Sequence, residues 1–126
     1  MKKQISTANA PAAVGPYSQA IDSEKTIYIS GQLPIDHATG KMCEGSIYEC
    51  ARLALLNLEG IINEAGGHMG NIVKVTVFLT DIADFPTVNS VYEAFFPSPY
   101  PARSAFAVAA LPLGGKLEIE AIAVLD

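Results

Sequence analysis

What the chain has little of narrows it first. Trp is absent, Cys and His occur twice each, and only 17% of the 126 residues are charged. Lys and Arg number 8 against 13 Asp and Glu, for a net charge of -5, and no basic run is longer than Met1-Lys2-Lys3-Gln4. Phosphate backbones are held by clustered cations, so this balance argues against a nucleic-acid surface. No apolar run reaches the ~18 residues that a membrane span needs. The two N-terminal lysines precede no apolar stretch of the kind that marks a signal peptide, so a cytoplasmic protein away from the membrane is expected. Cys43 and Cys50 fall in an expected loop and an expected helix, a spacing that suits neither a CxxC redox pair nor a metal site and fits a reducing compartment. His37 and His68 lie in turn-like contexts, Asp36-His37-Ala38-Thr39-Gly40 and Gly66-Gly67-His68-Met69-Gly70, with no third ligand close in sequence. No metal is expected.

What is there is apolar. Half of the residues are hydrophobic, a high share for a small monomer, and the excess points to a subunit interface in a homo-oligomer. One domain over residues 1–126 is expected, because a second core would leave each half too small to bury enough surface.

Along the chain, Pro11, Gly15 and Pro16 bar a helix from the first twenty residues, leaving an extended arm that runs into an edge strand over Val14 to Ala20. Thr26 to Ser30 is a strand by its β-branched and aromatic content. Gly31 ends it, where a missing side chain lets a ligand or another backbone come close. Turn residues from Pro34 to Gly45 mark a loop. Ser46-Ile47-Tyr48-Glu49 is a capping box, and Ile47, Cys50, Ala51, Ala54, Leu58, Ile61, Ile62 and Ala65 trace one apolar helix face that ends at Gly66-Gly67. Ile72 to Thr80 alternates as a half-buried strand. Asp84 caps a second helix with Pro86 in its first turn and Val88, Val91, Tyr92, Phe95 and Phe96 on its apolar face.

The last two strands carry the chemistry. Arg103 is the only ionisable side chain between Tyr100 and Lys116, and a guanidinium that cannot shed its proton wants an anion. In the following strand, period two puts Leu117, Ile119, Ala121 and Ala123 on one face and Glu118, Glu120, Ile122 and Val124 on the other. Pro112-Leu113-Gly114-Gly115 suits a hairpin between the two strands. Such a hairpin pairs Arg103 near Ile122 to Val124 and Glu118 near Ala109 or Ala110, and keeps them ~16 Å apart. The order of elements gives an α+β domain of two layers, helices on one face of a mixed sheet.

Pro101-Ala102-Arg103-Ser104, an apolar strand, Leu111 and then Leu117-Glu118-Ile119-Glu120 resemble the signature of the RidA (YjgF-type) reactive-intermediate deaminases. Asn9 to Ala20, Ile29-Ser30-Gly31-Gln32-Leu33-Pro34, Val73 to Leu79 and Val88 to Phe96 resemble the same family, in order along essentially the whole chain. The resemblance implies a chorismate-mutase-like fold with a six-stranded sheet and two helices, assembled as a homotrimer around a central barrel. It also implies cofactor-independent hydrolysis of 2-enamine and 2-imine acids, such as 2-aminoacrylate and 2-iminobutanoate, to 2-keto acids and ammonia. A pyridoxal-phosphate-dependent serine or threonine dehydratase would supply the substrate.

Residue by residue, the resemblance gives Arg103 the substrate carboxylate and Glu118 the attacking water, as general base and later acid. Alternation alone does not separate Glu118 from Glu120. The family's spacing from Arg103 selects Glu118, with Glu120 as a structural partner. Tyr17, Ser30, Gly31 and Asn89 fall at substrate-binding positions. Ala105 stands where many members have cysteine, which changes the pocket floor. If Arg103 and Glu118 serve one pocket, that pocket lies between subunits. The alternative is a small-carboxylate binding or regulatory protein that uses the same arginine without turnover.

Overall fold

Strand alternation and one helical stripe build the architecture that the computed structural model describes for residues 1–126. Six strands, β1 (Lys2–Ile5), β2 (Ala20–Ser23), β3 (Thr26–Gln32), β4 (Ile72–Leu79), β5 (Ala102–Ala107) and β6 (Leu117–Val124), form one sheet in the order β1-β2-β3-β6-β4-β5. Only the β4–β5 pair is parallel, so the sheet is mixed as expected. Two helices, α1 (Ile47–Glu64) and α2 (Phe85–Phe95), cover one face. The core lies between the layers. Ile27 and Ile29, Val75, Val77 and Leu79, and Leu117, Ile119 and Ala123 meet Ala51, Ala54, Leu55, Leu58, Ile61 and Ile62 of α1. The opposite sheet face has no cover within the chain: Tyr28 and Phe106 there are 51% and 45% exposed.

The ends of α1 follow their residue types. Ser46 caps it by accepting the Glu49 amide at 3.2 Å. Of the capping box only this half forms, since the Glu49 carboxylate lies against Gly45 instead. At the other end Gly66 takes φ 91°, and the amides of Gly66 and Gly67 close on the carbonyls of Asn63 and Ile62, both at 3.0 Å. This is the glycine-dependent helix stop. At α2 the cap differs from expectation. Asp84 makes no side-chain cap bond. Asp81 accepts the Ala83 amide at 2.9 Å and starts a short 3-10 turn that feeds the helix. Asp81→Ala is therefore expected to cost ~1 kcal/mol, and Asp84→Ala to stay within ~0.5 kcal/mol, read from urea midpoints at constant slope.

Two further expectations need correction. The N-terminal edge strand is β1, at Lys2–Ile5, and Val14 to Gln19 is irregular. The β5–β6 hairpin does not form. β5 pairs parallel with β4 and β6 lies between β3 and β4, so Arg103 stands opposite Val75 and Glu118 opposite Phe78. The link from Val108 to Lys116 exceeds the two to five residues of a tight hairpin loop, about the usual limit. It crosses the end of β4, where the Val108 amide bonds the Leu79 carbonyl at 2.8 Å and the Thr80 amide bonds that of Lys116 at 3.1 Å.

Candidate active site

Directly paired residues share a sheet face, so the register assigns each functional side chain to a side. Arg103 pairs with buried Val75 and faces the helices, whereas Glu118 pairs with Phe78 and faces away from them. Three residues along and two strands across, their Cα atoms are ~14 Å apart by strand geometry, and the sheet itself lies between the side chains. The chain thus presents two candidate half-sites, one on each side of the sheet. The hairpin expected to hold them apart is absent, and the two faces of the sheet separate them instead.

The basic half-site is built by β5 and α2. Phe85, Asn89 and Tyr92 recur at four and three along α2 and so share one face. The guanidinium carbon of Arg103 lies 5.0 Å from the Phe85 ring centre and 4.7 Å from that of Tyr92, and Nη1 donates to Asn89 Oδ1 at 2.7 Å. That is its only hydrogen bond, and no carboxylate in the chain pairs with it; the one ion pair is His68 with Asp126 at 3.9 Å. Arg103, Asn89 and Tyr92, with Glu93, Tyr100 and Pro101, line a cavity of about 430 Å³. Asn89 in this arrangement steadies the arginine. Ala105, two residues on, packs against the core beside this cavity and is not part of its wall. Burial raises the Tyr92 phenol above its ordinary pKa, with the charge of Arg103 opposing.

The acidic half-site is built by β3, β6 and the N-terminal arm. Tyr17, Ser30, Gly31, Glu118 and Glu120 line one cavity of about 830 Å³, with apolar Val14 and Leu113 on its rim. Burial pushes the Glu118 carboxyl above the usual carboxylate range, and the neighbouring Glu120 charge adds to the rise. What comes close at Gly31 is Glu118 itself: a Cβ there would stand 2.7 Å from Cδ. The Ser30 hydroxyl is occupied in donating to the Ser18 carbonyl at 2.6 Å. Tyr17 also lines the adjoining cavity over the open sheet face, with Lys74 and Thr76.

Sequence reading missed Phe85 and Tyr92 as supports of the guanidinium, having assigned Tyr92 to the core; the aromatic-Asn-aromatic stripe at 85, 89 and 92 ahead of a lone arginine is the signal that finds them. Both cysteines are free. Cys50 is buried beneath the Cys43 and Gly45 carbonyls, each 3.7 Å from its sulfur, and its thiol is pushed up to about 12 by burial and by Cys43. No group of three His, Cys, Asp or Glu converges, and no helix is long and apolar enough to cross a membrane.

Known proteins are similar to the chain over nearly its whole length. The model of the family described as Endoribonuclease L-PSP matches residues 7–125. The chain is 56% identical to the 2-iminobutanoate/2-iminopropanoate deaminase of Bos taurus, over 98% of this chain and 90% of that protein. It is 50% identical to the protein of the same name from Salmonella typhimurium, over 98% of each. Among solved structures, Escherichia coli TdcF with bound serine superposes with TM-score 0.94 at 45% identity, covering 98% of this chain and 99% of that one. The E. coli YjgF gene product does so with TM-score 0.93 at 48% identity, covering 97% and 98%. With matches of this extent to the family model and to relatives of that name, the chain belongs to the RidA (YjgF, L-PSP) family.

Proposed function

We propose that this protein is a hydrolytic deaminase of 2-imine and 2-enamine acids whose active site joins the basic half-site of one copy to the acidic half-site of another. The observation that carries the reading is Arg103: a guanidinium held against two rings, with one hydrogen bond and no carboxylate partner, at the wall of an open cavity. Its free fork matches a carboxylate. The names of the Bos taurus and Salmonella relatives supply the substrate class, and the serine bound to TdcF is a small molecule with the same carboxylate.

The chemistry then runs on the chain's own groups. Arg103 holds the acid, which places the imine carbon near Glu118 of the neighbouring copy. Glu118, ionised, takes a proton from water as the oxygen bonds to the carbon of the N-protonated imine, and the C=N π pair moves to nitrogen to leave an amine. The Glu118 proton then passes to nitrogen, the C–N bond breaks, ammonia leaves, and the remaining hydroxyl loses its proton to give the keto acid. A raised pKa brings the carboxyl closer to neutrality, where taking and returning a proton are balanced. Positioning and fixed charge account for the acceleration, and the scheme calls on no cofactor. An elimination of water from serine or threonine by a pyridoxal-phosphate dehydratase would supply the substrate.

A ring of three copies satisfies the demand for a neighbour and covers the open sheet face with Tyr28 and Phe106. Binding of RNA, which the family's description would suggest, is disfavoured by the net charge of -5 and the scattered cations. The test couples a serine or threonine dehydratase to the protein and follows keto-acid release. Acceleration over uncatalysed hydrolysis supports turnover; carboxylate binding without acceleration reduces the protein to a binding module. In the same assay Gly31→Ala is expected to lower kcat on the order of tenfold or more. The added methyl displaces the Glu118 side chain, a flexible neighbour, so the unfolding midpoint should hardly move.

A further inference from the structure

Gln19 is 4% exposed, and the proposed chemistry makes no use of it. Its side chain is nonetheless fully engaged. Nε2 lies 3.1 Å from the Thr7 carbonyl, 3.3 Å from that of Ala10 and 2.8 Å from that of Pro11, and Oε1 accepts the Thr7 amide at 2.7 Å. The Gln19 carbonyl accepts the Ser30 amide at 2.9 Å, and the preceding carbonyl, of Ser18, accepts the Ser30 hydroxyl at 2.6 Å. The side-chain amide therefore ties the first part of an irregular arm, residues 6–19, to its end, and the Ser18 and Gln19 carbonyls hold that end on β3.

The arm lies against α1 at Gly60, where a Cβ would stand 2.6 Å from the Asn9 carbonyl oxygen, so only glycine admits it. The middle of the arm is exposed: Val14 is 88% and Tyr17 48% accessible. This exposed stretch still forms one wall of the Glu118 cavity, through Pro11, Ala12, Val14 and Tyr17. A loop without regular structure keeps a fixed shape only if its buried backbone groups find partners, and Gln19 provides them for Thr7, Ala10 and Pro11 together.

We propose that Gln19 is a positioning residue: its side chain closes the arm into one shape and so sets where Tyr17 stands over the Glu118 cavity, with Ser30 as a second tie and not a substrate ligand. The kinetic part rests on the deaminase reading; the structural part does not. Gln19→Met keeps length and volume and removes every side-chain bond. Hydrogen exchange is expected to quicken ~tenfold or more over residues 7–19 while α1 and β4 keep their protection. In the coupled assay KM is expected to rise ~tenfold with kcat little changed, since Arg103 and Glu118 are untouched.

A purely stabilising residue would not give the next result: in a Tyr17→Ala background, Gln19→Met should lower kcat/KM no further. Ser30→Ala is expected to act in the same direction with a smaller effect, and it decides the same questions if Gln19→Met does not fold. Unchanged exchange in the arm, an increase spread evenly over the whole chain, a loosened arm with unaltered KM, or effects of Gln19 and Tyr17 that multiply would each overturn the proposal. Should the wild type turn over no imine, the functional reading fails on its own, and exchange still decides whether Gln19 fixes the arm.

Discussion

Arg103→Lys is expected to lower kcat/KM for imine hydrolysis by on the order of 100-fold, and Arg103→Ala further, because truncating one side of a desolvated charge pair costs about 2 to 5 kcal/mol. Lysine keeps the positive charge. It cannot present two parallel N–H bonds to a carboxylate, nor can its ammonium lay a planar face on the rings of Phe85 and Tyr92, whose centres lie 5.0 and 4.7 Å from the guanidinium carbon. The fold should tolerate the change, since Arg103 has no carboxylate partner in the chain and one hydrogen bond, to Asn89. The measurement is a substrate titration in the dehydratase-coupled assay with an unfolding curve for each variant. A lysine variant with wild-type kcat/KM would remove the arginine from the substrate.

Glu118→Gln is expected to cut kcat by roughly 10² to 10⁴, the range for loss of a general base, while making the folded protein more stable at neutral pH. Burial, with the charge of Glu120, raises the Glu118 carboxyl in the folded state, so the native chain holds that proton more tightly than the unfolded chain. Stability from this group is complete below the unfolded pKa and is lost as pH rises through the folded one. At neutral pH the ionised carboxylate is therefore a burden that glutamine lacks, the usual exchange of stability for function at a catalytic position. Activity should run the other way, rising with pH through the raised pKa of Glu118 and losing that limb in Glu118→Gln. A variant that is both active and less stable would contradict both halves.

These two residues also show how much of the molecule can be read from its residues in order. The layers were legible because burial in a two-layer domain imposes period two on strands and a single stripe on α1, and both periods stand in the sequence. The faces of β6 came out as the alternation implied, and those of β4 did so from Lys74 on; an irregularity before it leaves Val73 47% exposed and buries Ile72 in its stead. What alternation does not contain is strand order. It assigns Glu118 to a face without saying which strand lies beside it, so β6 was placed next to β5 when it runs between β3 and β4. The Asp81 cap was hidden because Asp84 sits nearer the proline. The turn between β2 and β3 went unread for a related reason: Glu24 and Lys25 take φ 51° and 74° there, without the glycine or asparagine that usually signals such a turn. Arg103 and Glu118 were legible as odd charges in apolar strands. Tyr92 and Gln19 were not, since a buried tyrosine on a helical stripe and a lone glutamine look like ordinary packing until their partners are seen.

The union of two half-sites from different copies is tested most directly by mixing inactive variants. Arg103→Ala and Glu118→Ala are each purified, confirmed inactive, mixed in equal amounts, unfolded together and refolded. In a ring where each site takes its arginine from one copy and its glutamate from the next, random assembly rebuilds both in roughly a quarter of the sites. Recovery of that share of wild-type activity is the predicted result. A mixture that stays as inactive as its parents, although the chains have exchanged into shared assemblies, would place both residues in the service of one chain and contradict the inter-subunit site.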